Sequence, residues 1–365
     1  MSPSTVSLTV MRKTVRVLSF AAALSVVAAS CSSSDGGGSG ADETGTGDAN
    51  ALEACLSVEP VSGRAPRLVS TVAPITNLIA MVVGDAGATI DGLVPEGTNS
   101  HTFEPPPSAA AVVEDADVVF VNGLGLEDPS IELAENNAAN AVICELGTAI
   151  LPEDEWVYDF SFPEDGGKPN PHLWTNPPMV REYVDIIRDV LTALDPDNEA
   201  VYEANHSAIA RVISDLDAAM ATASATIPAE SRKLLTYHDA YAYFALHYGW
   251  EVVGAIQPSS FEEPSPREIA DLIDQVKSLG VKAVFGSEVF PSPVLAQIGA
   301  EAGVRYIDVL RDDDLLGEPG DAEHTWADLM RFNFSTMVEA LGGDPSALTT
   351  VDTDAGVTDK AFYPQ

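Results

Sequence analysis

Basic residues, histidine and cysteine are all scarce in this chain. Against 56 acidic side chains stand 18 Lys and Arg, which leaves a net charge of −38. That shortage argues against nucleic acid and anionic ligands as partners. It leaves cations, or simply solubility, as the reading of the charge. There are only three cysteines, none in a Cys-x-x-Cys pair, so no thiolate zinc or redox motif is present. None of the six histidines belongs to a His-Glu-x-x-His helix of the metalloprotease kind. Aromatic residues make up 7% of the chain. What is plentiful is aliphatic: 45% of the 365 residues are hydrophobic, enough to fill two lobes with separate cores.

The N-terminus reads as an export signal over residues 1–30. A basic stretch, Arg12-Lys13-Thr14-Val15-Arg16, precedes an apolar run over 17–29 that is too short to span a bilayer. The sequence Val27-Ala28-Ala29-Ser30-Cys31 resembles a bacterial lipobox, with Cys31 as the lipidated first residue of the mature protein. Ser, Gly, Asp and Thr dominate the stretch after Cys31, so residues 31–66 are predicted to be a lipid-anchored disordered tether. Cys55 and Cys144 remain. Outside the cytoplasm such a pair is expected to form a disulfide, linking the start of the domain to a strand.

Beyond the tether, strands and helices alternate. Strands are predicted over 67–72, 89–94, 117–122 and 141–145, with a helix over 74–83 carrying proline in its first turn. Two helical stretches come next, 181–194 and 198–225, the second with Ile209, Val212, Ile213 and Leu216 on one stripe and no Gly or Pro. Strands at 233–237, 251–256, 281–285 and 305–310 then alternate with helices, the last over 326–341. The expected fold class is α/β. Two β-α lobes with parallel sheets, 67–180 and 228–344, are joined by linking helices over 181–227, one of them long. Residues 345–365 read as a loosely ordered tail.

Three histidines fall where such a scaffold presents side chains. His101 comes after the second strand, in Asn99-Ser100-His101-Thr102-Phe103-Glu104 before three prolines that stiffen the loop. His172 lies in Asn170-Pro171-His172-Leu173-Trp174 at the edge of the first lobe, behind an acidic loop over 153–169. His238 comes after the first strand of the second lobe, in Tyr237-His238-Asp239. The acidic run Asp312-Asp313-Asp314 lies past that lobe's last strand. Ligand sites in open α/β sheets lie beyond the carboxyl ends of the strands. Three imidazoles and a carboxylate meeting there suit a divalent ion such as Zn²⁺. His206, His247 and His324 read as packing or capping residues.

These loops, in this order, resemble those of the zinc/manganese-binding solute-binding lipoproteins of ABC importers. The likeness runs from about residue 67 to 341. The second ligand loop of that family is usually Asp-Pro-His-x-Trp, against Asn170-Pro171-His172-Leu173-Trp174 here. The resemblance implies two lobes around one rigid helix, no enzymatic activity, and His101, His172, His238 and Asp313 as metal ligands. Asp314 is the alternative fourth ligand, depending on whether the alignment is carried straight through or shifted to match Gly317. Phe103 and Trp174 would wall the site, and Glu104 and Asp239 would orient ligands. The cargo would be Zn²⁺ first, because the third ligand is His, and Mn²⁺ next, because the 153–169 loop has no histidine. The partners would be an ABC permease and, through the lipid, the bacterial cell membrane, for a monomer with an extracytoplasmic station. The alternatives are a secreted zinc hydrolase, an adhesin lipoprotein and an iron-chelate binder. The last would favour Arg and aromatic residues over histidine in its cleft.

Overall fold

The computed structural model describes residues 49–365 apart from Phe160, His238 and the segments 256–264 and 288–292. The predicted signal, Cys31 and His238 lie outside the described residues.

The first lobe is built on four parallel strands, β1 (Arg67–Ser70), β2 (Thr89–Gly92), β3 (Val118–Val121) and β4 (Val142–Glu145), in the order β2-β1-β3-β4. The register sets Leu68 beside Ile90, Val69 beside Val119, and Phe120 beside Cys144. All four residues of β3 are buried, as a strand covered on both faces requires. Between β1 and β2 runs α2 (Ala73–Val83), whose eleven residues are all buried; it is apolar all round because it is enclosed all round. The helices α3 (Ala110–Glu114), α4 (Asp128–Asn137) and α5 (Leu146–Ile150) complete the lobe.

α6 (Pro177–Leu194) and α7 (Glu199–Ala225) leave the first lobe as a packed pair. At about 1.5 Å per residue, α7 spans roughly 40 Å. The second lobe repeats the plan with β5 (Lys233–Thr236), β6 (Glu251–Ala255), β7 (Ala283–Ser287) and β8 (Arg305–Leu310), in the order β6-β5-β7-β8. Its helices are α8 (Ala242–Tyr248), α9 (Pro266–Leu279), α10 (Pro293–Ala302) and α11 (Trp326–Ala340). α9 shows how local sequence sets its bounds. Ser265 and Glu268 form a reciprocal capping box, Pro266 opens the helix, and Gly280 ends it in the left-handed region. The buried side chains Ile209, Ile213, Leu216 and Met220 of α7 belong to one continuous core. It takes in Leu68 and Phe120 of the first lobe and Leu234, Phe285 and Phe334 of the second.

Two segments depart from expectation. The predicted tether stops well short of residue 66, because α1 (Ala49–Leu56) packs on β4, α5 and α6. Cys55 and Cys144, both fully buried, are joined by a disulfide. Val61 N–H donates to the Leu194 carbonyl and Arg64 pairs with Asp117, so the whole of 49–66 is tied down. The tail is not loose either. After α12 (Ser346–Thr349), the chain returns across the first lobe, and Phe362 pairs with the β2 edge. Tyr363 is buried there, and its hydroxyl donates to Asp359, which also accepts from Asn77 of α2. Leu348 and Tyr363 supply the burial that an otherwise polar segment needs. No helix among the described residues is long and apolar enough to cross a membrane.

Candidate metal centre

His101 is held by its own turn. Asn99 Oδ1 accepts the His101 backbone N–H at 2.9 Å, closing a short 3₁₀ turn over Ser100–Thr102. His172 is fixed more tightly. Asn170 Oδ1 accepts both its backbone N–H and its Nδ1, each at 2.9 Å. A backbone N–H can only donate, so the Asn170 atom facing it is the oxygen. Nδ1 must then carry the proton, and Nε2 is left with the lone pair. That Nε2 faces His101 Nε2 at 3.2 Å. Two imidazoles bound tetrahedrally to one ion at ~2.0–2.1 Å would hold their nitrogens about 3.4 Å apart. The observed spacing suits a shared ion.

The loop of His172 is anchored to the β3 end. Asn122 Nδ2 donates to the Pro171 carbonyl at 2.8 Å, and the Tyr183 hydroxyl donates to Asn122 Oδ1 at 2.5 Å. The chain turns away there through Gly123, Leu124 and Gly125, all with positive φ. Glu127 accepts from Thr71 Oγ1, Asn122 N–H and Gly123 N–H, which fastens the turn. Complete burial pushes the Glu127 carboxyl up to about 7, against the pull of those donors.

The other lobe contributes acids just past β8. Ligand atoms of His172, Asp312 and Asp313 all lie within 4.8 Å of one another, and all three residues are buried. Asp313 Oδ2 accepts from Ser100 Oγ at 2.6 Å, beside His101. Asp312 Oδ1 accepts from Ser287 Oγ at 2.9 Å, while its carbonyl accepts from Trp174 Nε1 at 2.8 Å. Asp314 points elsewhere: both its oxygens accept from Gly97 N–H, at 2.9 and 2.8 Å. Burial pushes Asp314 up to about 7. Asp313 and Glu96 add to the shift, and the Gly97 N–H and Arg311 oppose it.

Of the residues named from sequence, His101, His172, Trp174 and Asp313 are brought together; the Trp174 ring lies 5.1 Å from that of His172. Glu104 is exposed, and the side chain that bonds Nδ1 of His172 is Asn170. Phe103 is half-buried, and the ring that joins Trp174 against the imidazoles is Phe162, 5.4 Å from His101 and 5.7 Å from His172. Asp239 is buried and accepts from Tyr241 N–H. Its neighbour His238 lies outside the described residues. Asp312 and Phe162 carried no distinguishing signal: one sits in a run of three identical acids, the other in an aperiodic loop. His206 and His247 pair with Asp185 and Asp217 at 2.6 and 2.8 Å, and His324 Nδ1 bonds the Leu316 carbonyl.

Residues 68–340 match the family described as zinc-uptake complex component A, periplasmic. The chain belongs to this family. Its members are metal-binding solute-binding proteins of ABC importers, transport components rather than enzymes. The chain is 31% identical over 306 residues to the manganese-binding lipoprotein MntA of Halalkalibacterium halodurans, covering 83% of this chain and 93% of that one. It is 28% identical to the iron-binding protein YfeA of Yersinia pestis, over 76% and 86% of the two chains. The zinc-binding TroA of Treponema pallidum superposes with a TM-score of 0.69 at 23% identity, over 76% of this chain and 99% of that one, which shows the shared fold. A manganese-bound periplasmic metal-binding protein from Candidatus Liberibacter asiaticus does so at 0.66 and 25%, with the same coverage.

Proposed function

We propose that this protein captures a divalent transition metal outside the cytoplasm and delivers it to an ABC permease, with Zn²⁺ as first cargo and Mn²⁺ as next. The observation that carries the reading is the pair of Nε2 atoms 3.2 Å apart, with Asp312 and Asp313 of the other lobe closing on His172. In this reading His101, His172, His238 and Asp313 are the ligands. Asp314, committed to Gly97, stands outside. A nitrogen and carboxylate site favours Zn²⁺ over Mn²⁺ in raw affinity, so the cargo in the cell depends on metal supply as much as on the site. Cys31 would carry the lipid that keeps a monomeric carrier beside its permease. No contact among the described residues favours a hydrolase or an adhesin.

Competitive titration of the purified mature protein with Zn²⁺ and Mn²⁺, read by bound-metal analysis, tests this. One ion should bind per chain, Zn²⁺ displacing Mn²⁺, and His172→Ala should lose at least about 100-fold in affinity. Wild-type affinity in that variant would remove the basis of the proposal.

A further inference from the structure

Asn170 is fully buried, and its amide has every bonding position filled. Its oxygen holds His172 twice over, at the backbone N–H and at Nδ1. Its nitrogen donates to Asp159 Oδ2 at 2.7 Å and to the Asp239 carbonyl at 2.6 Å. One side chain therefore ties together three segments: the loop of the second histidine, the acidic loop, and the turn just past His238.

The acidic loop is built on the same contact. Asp159 Oδ1 accepts from Ser161 N–H at 2.8 Å and from Phe162 N–H at 3.0 Å, while the Asp239 N–H donates to Ser161 Oγ at 3.1 Å. This tight turn is what lays the Phe162 ring against both imidazoles. The path from Asn170 to the cover over the metal thus runs through one carboxylate. Only an amide serves both ends. An aspartate at 170 would still accept from His172, but it would lose both donations and set a second carboxylate 2.7 Å from Asp159.

We propose that Asn170 is a positioning residue that does two things at once: it orients His172 for the ion, and it holds the Phe162 turn closed over it, so that it governs how fast metal leaves. This rests on the metal-capture reading of the site.

The test uses the full mature chain, with Co²⁺ as spectroscopic probe and Zn²⁺ release into excess chelator monitored by stopped flow. His172→Ala runs alongside as a control for the site itself. Asn170→Ala should weaken Zn²⁺ binding about 10- to 100-fold and change the Co²⁺ absorption spectrum, as loss of an orienting partner does. Asn170→Asp keeps the acceptor for Nδ1. It should keep the Co²⁺ spectrum closer to wild type than Asn170→Ala does, while Zn²⁺ release speeds up about tenfold or more, because the hold on His172 is kept and the cover is loosened. Release at the wild-type rate from Asn170→Asp would overturn the proposal. So would a wild-type spectrum and affinity in Asn170→Ala. Should Asn170→Ala fail to fold, Asn170→Asp decides alone. A wild-type protein that binds neither ion, or a His172→Ala that binds both, sinks the metal-capture reading rather than the role of Asn170 alone.

Discussion

The three consecutive acids beyond β8 can be told apart by how much a bound metal stabilises the fold. At a Zn²⁺ concentration a thousand times the dissociation constant, binding adds about 4.1 kcal/mol to stability. Loss of even an orienting partner costs 10- to 100-fold, so loss of a direct ligand is set at about 100-fold. At the same Zn²⁺ concentration such a variant gains only about 1.4 kcal/mol, a deficit of about 2.7 kcal/mol. For a folded region of about 300 residues, 1 kcal/mol moves Tm by about 1.5 °C, so the metal-induced rise should shrink by about 4 °C. Asp313→Ala is expected to show this loss, because Asp313 lies in the cluster with His172 and is steered by Ser100. Asp314→Ala should lower Tm with and without metal alike, because it breaks a contact to Gly97 and leaves the cluster intact. Asp312→Ala should fall between, since Asp312 belongs to the cluster but leans on Ser287. The assay is calorimetry of each variant with Zn²⁺ and with chelator. If Asp314→Ala loses the metal-induced rise while Asp313→Ala keeps it, the assignment of ligands is wrong.

Glu127 has a folded pKa of about 7 against an ordinary value of 4.5, so the folded state holds the proton longer than the unfolded one. The Glu127 contribution to stability should therefore be fully present below about pH 4.5 and fall by about 3 kcal/mol as pH rises through 7. Denaturant titrations of Glu127→Gln should lack that share of the slope and keep the share that Asp314 contributes in the same range. Replacing Cys55 and Cys144 together by Ser opens a loop spanning a sequence separation of 89, which on chain entropy costs about 4–5 kcal/mol. Calorimetry should show it as a lower Tm with metal affinity retained. Tyr363→Ala removes a buried ring from the returning tail and should cost about 3–5 kcal/mol in urea unfolding, again with metal affinity intact.

The alternation of elements and the long helix were legible because buried parallel strands and amphipathic helices leave periodic traces. β3 reads Val-Val-Phe-Val and is buried throughout, and α7 carries its stripe at the expected spacing. His101 and His172 were legible because each stands in a short polar loop stiffened by neighbouring proline. α4 left no such trace: its sequence, DPSIELAENN, is mostly polar, and only Ser130 and Ala134 in it are buried. The order of 345–365 was hidden for another reason. It depends on backbone pairing of Phe362 with β2 and on Asp359 meeting Asn77, contacts between residues that lie 270 or more positions apart. Asn170 looked like a variant of a loop motif; its fourfold role emerges only when Asp159 and Asp239 come into place around it.

The shared core around α7 bears on how cargo can leave. Swinging the halves apart would uncover apolar surface, and exposing even ~400 Å² costs about 10 kcal/mol. That is as much as a typical domain's entire margin against unfolding. On the proposed role as a metal carrier, this stiffness favours unloading at the rim, through single turns such as the one carrying Phe162, with the body beneath staying a rigid cup.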